Sequence, residues 1–109
     1  MKIVKAIIKP ERFEFIKKAL EDKGFVSLTI TEVRGRGEQK GISLEYRGGV
    51  MNVDILPKLQ LELAVKEKDV ETVIAIITES ARTGKIGDGK IFVIPVEKAI
   101  RIRTGEMEV

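Results

Sequence analysis

Neither cysteine nor histidine occurs among the 109 residues of the chain. Without thiols there is no disulfide, no cysteine nucleophile and no Cys/His zinc site. Without imidazole, Ser-His-Asp triads and histidine acid–base chemistry are excluded as well. Tryptophan is also absent, and aromatic residues make up only 5% of the sequence. A sheet that reads single-stranded nucleic acid needs exposed aromatics for stacking, and the phenylalanines here fall mostly at helix or core-like positions. Long apolar runs are missing too. The longest are a few residues, such as Ala6-Ile7-Ile8, far short of a signal peptide or a membrane span, so a cytoplasmic protein is expected. Neither sign of charge dominates: 20 basic and 17 acidic residues leave a net charge of +3. That mild excess suits a small anionic ligand as well as a nucleic acid and decides nothing alone.

What is present describes one soluble globular domain over 1–109, with 43% hydrophobic and 34% charged residues. Residues 2–9 are rich in Ile and Val and read as a strand that ends at Pro10. Pro10 suits the first position of a helix, in which Phe13, Ile16 and Leu20 recur at helical spacing and Gly24 is the stop. A second strand is expected over Phe25 to Val33, where Leu28 and Ile30 alternate with Thr29 and Thr31. From Arg34 to Asn52, five glycines interrupt a polar segment in which no strand or helix period emerges. A loop of that length in a small domain tends to be functional. Order returns with Leu59, Leu61, Leu63 and Val65 on one strand face. A helical stripe of Val70, Val73, Ile74, Ile77 and Ala81 follows, then a second glycine-rich stretch over 83–90. A fourth strand is expected over Ile91 to Val96, and a short last one through Ile100 and Ile102. The order β-α-β, loop, β-α-β is that of the α+β, ferredoxin-like double βαβ fold, with one antiparallel four-stranded sheet. Apolar residues on both strand parities imply that the sheet's second face is covered by another copy of the chain.

Two segments have the composition of an anion site, and a third, glycine-rich one reads by itself as a flexible loop. Gly84-Lys85-Ile86-Gly87-Asp88-Gly89-Lys90 combines glycines, which let backbone N–H groups approach an anion, with a lysine. It departs from a Walker A loop because Ile91 stands where Ser or Thr belongs and a strand follows instead of a helix. Taken alone it reads equally as an αβ turn. Arg101 and Arg103, two apart on the expected last strand, would share a face and suit bidentate phosphate binding; by themselves they also read as guards of a solvated edge. Gly35-Arg36-Gly37-Glu38-Gln39-Lys40-Gly41 is one residue too long for a dinucleotide fingerprint and is not followed by a helix. Glu62, set among leucines on a strand, reads as a partly shielded acceptor. No carboxylate pair forms an acid–base site and no nucleophile stands out, so an enzyme is not expected.

Together these residues resemble the PII signal-transduction family over nearly the whole chain. The strongest match is Thr83-Gly84-Lys85-Ile86-Gly87-Asp88-Gly89-Lys90-Ile91-Phe92-Val93-Ile94-Pro95-Val96. Ala6-Ile7-Ile8-Lys9-Pro10, Thr31-Glu32-Val33-Arg34-Gly35, Gln39-Lys40-Gly41, Tyr46-Arg47-Gly48, Asp54-Ile55-Leu56-Pro57-Lys58 and Ile100-Arg101-Ile102-Arg103-Thr104-Gly105 support it. The resemblance implies a homotrimer with sheets facing inward and ATP or ADP held in clefts between subunits. Gly87, Asp88, Gly89 and Lys90 would cradle phosphates together with Arg101 and Arg103. Thr29, Gly37, Glu38, Glu62 and Ala64 would complete the nucleotide site. Gln39 would help to hold a magnesium ion that also coordinates 2-oxoglutarate, and Lys40, Gly41, Lys58 and Gly87 would bind that effector. Residues 35–54 would be the T-loop, and Tyr46 and Arg47 would contact a target, in the first place an ammonium transporter of the Amt type. Contact with a membrane would then come only through the transporter, at its inner face.

Three positions depart from the family pattern. Met51 stands where many relatives carry a tyrosine that is uridylylated, and Gly49 where some carry a serine that is phosphorylated. Glu38 stands where arginine is frequent. Regulation is therefore expected to rest on ligands. The alternative is a structural or metal-responsive trimer on the same fold without nucleotide sensing. It is disfavoured by the missing histidine and cysteine and leaves Lys90, Arg101 and Arg103 without a purpose.

Overall fold

A computed structural model of the chain describes residues 1–37, 42–46, 49–53 and 55–108, with the backbone alone described over the two segments between 42 and 53. Strand β1 (Lys2–Ile8) alternates as its composition dictates: Val4, Ala6 and Ile8 are buried, while the residues between them point to the opposite face. Pro10 opens a 3-10 turn (Pro10–Arg12) that feeds helix α1 (Phe13–Asp22). Ile16 and Leu20, one turn apart, are its buried stripe, each worth about 1.5–3 kcal/mol against leaving it exposed. The helix stops at Gly24, whose φ of 88° is open to glycine at little cost. Gly24 donates to the Glu21 carbonyl and Phe25 to the Leu20 carbonyl, both at 2.9 Å, which is the Schellman pattern, and Phe25 packs on the core as that motif favours.

The expected start of the second strand is thereby corrected. Phe25 to Leu28 belong to the helix stop and its exit, and β2 runs Thr29–Gly35. The 34–52 region also holds order that the sequence reading missed. There β3 (Ile42–Tyr46) pairs antiparallel with β4 (Gly49–Val53), from Ile42 opposite Val53 to Tyr46 opposite Gly49. Strand β5 (Leu56–Val65) begins three residues before the expected Leu59. A second 3-10 turn (Glu67–Asp69) leads into α2 (Val70–Ala81), which buries Val70, Val73, Ile77 and Ala81. Strand β6 (Gly89–Pro95) follows, and β7 (Ala99–Ile100) pairs with β8 (Met107–Glu108) at the C-terminal end.

The main sheet has the order β2-β5-β1-β6, every pair antiparallel. Each helix connects strands separated by one other strand, which is the expected ferredoxin-like split βαβ arrangement. Both helices pack on one face over Val4, Ala6, Ile8, Leu61 and Leu63. The other face carries Ile3, Lys5 and Ile7 of β1 in register with Ala64, Glu62 and Gln60 of β5 and with Ile94, Phe92 and Lys90 of β6. Phe92 and Ile94 are 48% and 37% exposed there, so this apolar and charged face has no cover among the described residues.

The expected last strand is corrected as well. Arg101 and Arg103 do not share a strand face, because a turn intervenes. The Arg101 N–H donates to the Glu106 carbonyl at 2.8 Å and Gly105 returns a bond to the Arg101 carbonyl at 2.7 Å. Closing that hairpin satisfies backbone groups that a continued edge strand would leave bare.

Candidate functional site

The glycine-rich stretch between α2 and β6 is held from several sides. Asp88 folds back on the start of the loop: its Oδ2 accepts from the N–H groups of Thr83 and Gly84, each at 2.9 Å, and its Oδ1 accepts from the Thr83 hydroxyl. Lys9, at the end of β1, places Nζ 3.2 Å from Asp88 Oδ1 and 3.2 Å from Thr83 Oγ1. Those bonds, with the Thr83 hydroxyl foremost and the backbone N–H groups and Lys9 behind it, hold the Asp88 carboxyl far below the usual carboxylate range against an opposing effect of burial. One residue earlier, the Gly87 carbonyl accepts a 2.7 Å bond from Lys58 Nζ on β5. Gly89 then enters the sheet opposite Ile8. A Cβ at Gly89 would lie 1.7 Å from the Ile7 carbonyl oxygen, and its φ is 105°.

The loop forms one wall of a cavity of about 500 Å³, whose other walls are Gly35, Arg36 and Gly37 at the end of β2, Lys58, and Ile7 and Phe92 of the uncovered sheet face. Arg36, Lys58, Lys85 and Lys90 line it, against Asp88 as the acidic group. Asp88 is already engaged with Lys9 and the loop, so among the described residues the lining carries more positive than negative groups. Lys58 is half-buried, and burial, with repulsion from Lys9, lowers its pKa against the attraction of Glu11 and Asp88. Among the described residues no carboxylate lies in ion-pair contact with it. An anion in the cavity would supply what this lysine lacks.

A second cavity, of about 480 Å³, lies elsewhere on the chain, lined by Ile3, Ser27, Leu28, Thr29, Glu62, Ala64 and Glu108 among others. Glu62 stands opposite Thr29 across the β2–β5 ladder. It accepts a 2.8 Å bond from Gln60 and lies 3.9 Å from Lys5, the partly shielded acceptor expected from its place among leucines. Arg101 of the C-terminal hairpin pairs its guanidinium with Glu108, and Arg103 is exposed in the turn beyond it.

The expected site residues thus fall into two groups within one chain. Gly37, Lys58, Gly87, Asp88, Gly89 and Lys90 surround the basic cavity. Thr29, Glu62 and Ala64 surround the other, with Arg101 tied by its Glu108 contact to that second region. Glu38, Gln39, Lys40, Gly41 and Arg47 lie outside the described residues, and Tyr46 is described only as the end of β3. Lys9 and Thr83 sit inside the sequence motifs, yet no spacing assigns them a part. They are 74 residues apart and meet only through the fold.

A model of the family described as Nitrogen regulatory protein P-II matches residues 1–106. The chain is 53% identical over 106 residues to Nitrogen regulatory protein P-II 2 of Methanothermobacter thermautotrophicus, covering 97% of this chain and 92% of that protein. It is 54% and 52% identical to the proteins called Nitrogen regulatory protein P-II of Haemophilus influenzae and Pasteurella multocida, in each case over 97% of this chain and 95% of the relative.

Proposed function

Because the chain belongs to the nitrogen regulatory protein P-II family, and is thus a signalling regulator of nitrogen metabolism, we propose that it senses ATP or ADP together with 2-oxoglutarate. It passes the result to a target through residues 35–54. The observation that carries this reading is the clamped glycine loop beside Arg36, Lys58, Lys85 and Lys90 in one cavity. Backbone donors and fixed cations suit phosphates. A sensor needs differential affinity for its states and no nucleophile.

Two groups of site residues in one chain are what a cleft between subunits requires: each copy offers its glycine loop to one cleft and its Thr29–Glu62–Ala64 surface to the next. The uncovered sheet face favours the same homotrimer. Lys58 has the charge for one carboxylate of 2-oxoglutarate, beside Gly87. Gln39, Lys40 and Gly41 complete that effector site, with Mg²⁺ held by Gln39 and the phosphates. The target is an ammonium transporter of the Amt type, met by Tyr46 and Arg47 at the inner face of the membrane. In this reading the protein is cytoplasmic and meets the bilayer through the transporter; no helix among the described residues is long and apolar enough to cross a membrane.

Calorimetric titration with MgATP, with and without 2-oxoglutarate, tests the reading. Each ligand is expected to tighten the other by the same factor, as linkage requires. Nucleotide binding without that coupling would remove the 2-oxoglutarate arm, and no nucleotide binding would remove the sensor.

A further inference from the structure

We propose that Asp88, with Thr83 and Lys9, is a positioning network for the phosphate-binding loop, and that the Asp88 carboxylate never touches the nucleotide. The inference rests on the nucleotide reading above and adds roles for Thr83 and Lys9. Asp88 lines the basic cavity, and a carboxylate in an anion site would by charge alone weaken binding. Its oxygens, however, are committed elsewhere: to the Thr83 and Gly84 N–H groups at 2.9 Å, to the Thr83 hydroxyl, and to Lys9 at 3.2 Å.

Thr83 is the hub. Its hydroxyl oxygen accepts from Lys9 Nζ and from the Lys85 N–H, both at 3.2 Å, while its proton goes to Asp88. That uses its one donor and both of its acceptor sites. The side chains of Lys9 and Asp88 are only 17% and 24% exposed, so the pair is screened less than a surface ion pair. Lys9 directly follows β1, between Ile8 and Pro10, and therefore ties the loop to the end of a rigid strand. Residues 83–88 close into a ring of hydrogen bonds. From this ring Gly87, Gly89 and Lys90 project at a fixed place before any ligand arrives, and pre-ordering of this kind lowers the entropy cost of binding.

The sign of one substitution separates this role from a charge effect. Asp88→Asn removes a negative charge from an anion cavity, so simple electrostatics predicts tighter ADP binding. The positioning role predicts the reverse, weaker binding by about tenfold or more, since the asparagine amide would face the N–H donors that the carboxylate now accepts from. Thr83→Val, which leaves the charge unchanged, is expected to weaken ADP in the same direction, and Thr83→Ser to restore it.

The measurement is calorimetric titration of the intact protein and each variant with ADP and with AMP, alongside amide hydrogen exchange of the ligand-free loop. The ratio of ADP to AMP affinity should fall in Asp88→Asn and Thr83→Val, with faster exchange at the Thr83 and Gly84 amides. A variant that merely lowered the stability of the fold would leave that ratio unchanged, and an unchanged ratio overturns the proposal. So does ADP binding that is tighter or unaltered in Asp88→Asn. If the unaltered protein fails to bind ADP, the nucleotide reading falls, and the positioning role falls with it whatever the variants do.

Discussion

At the scale of single residues, Asp88 makes the fold sensitive to acid in a calculable direction. Its carboxyl is held far below the range of about 4 that it has in an unfolded chain. A carboxyl with a lowered folded-state pKa contributes stability that is fully present above the unfolded value and is lost as pH falls from there towards the folded value. Urea unfolding at pH values between about 6 and 2.5 should therefore show the unaltered protein more stable than Asp88→Asn at the upper end. The gap should close as the pH drops below about 4. A gap that stays constant would mean that the carboxylate is not engaged as described. The glycine loop itself was legible in the sequence because its residues are adjacent. The Lys9–Thr83–Asp88 contacts were not, since a hydrogen bond between residues 74 apart leaves no local signature. The Arg12 bonds to the Ser80 carbonyl, at 2.7 and 3.0 Å, were hidden for the same reason.

At the scale of elements, alternation and helical spacing revealed β1, β5, both helices and the order of the core, because each buries one regular face. They failed where a local motif competes. Phe25 looks like the start of a strand but serves as the hydrophobic cap of α1. In β3, Ile42, Leu44 and Tyr46 do alternate with Ser43 and Glu45, but five residues between glycine clusters are too short a run to stand out. Arg101 and Arg103 have the spacing of a strand face, yet Thr104-Gly105 bends the chain between β7 and β8. The ribbon β3–β4 is hydrogen-bonded to no strand of the main sheet. Replacing 42–53 by a short Gly-Ser linker is accordingly expected to leave the thermal midpoint within a few degrees, since changing the length of a surface loop alters closure entropy by only about 0.6 kcal/mol per doubling. It should abolish target docking. Calorimetric melting and a pull-down on the transporter check both halves, and a collapse of the midpoint would mean that the ribbon supports the core.

At the scale of the whole molecule, the sheet face opposite the helices is the feature a single chain leaves unexplained. Ile3, Ile7, Phe92 and Ile94 alternate there with Lys5, Gln60, Glu62 and Lys90. Sedimentation equilibrium is expected to return three times the chain mass of 12.2 kDa. Ile94→Asp, at a position already 37% exposed in the isolated chain, should lower the mass towards that of one chain while circular dichroism stays unchanged. A variant that remains trimeric would place the subunit contact elsewhere.

The tight approach of β6 to β1 has a bearing on how relatives of this chain are diagnosed. Gly89 lies within the most recognisable motif of the sequence, yet its missing side chain is dictated by the Ile7 carbonyl oxygen at 1.7 Å from where a Cβ would stand. The sheet enforces that glycine whether or not a phosphate ever arrives. A relative that binds no nucleotide would still keep it, so the glycine testifies to ancestry and architecture, whereas testimony about present-day ligands must come from Lys58 and Lys90, which the backbone leaves free to change.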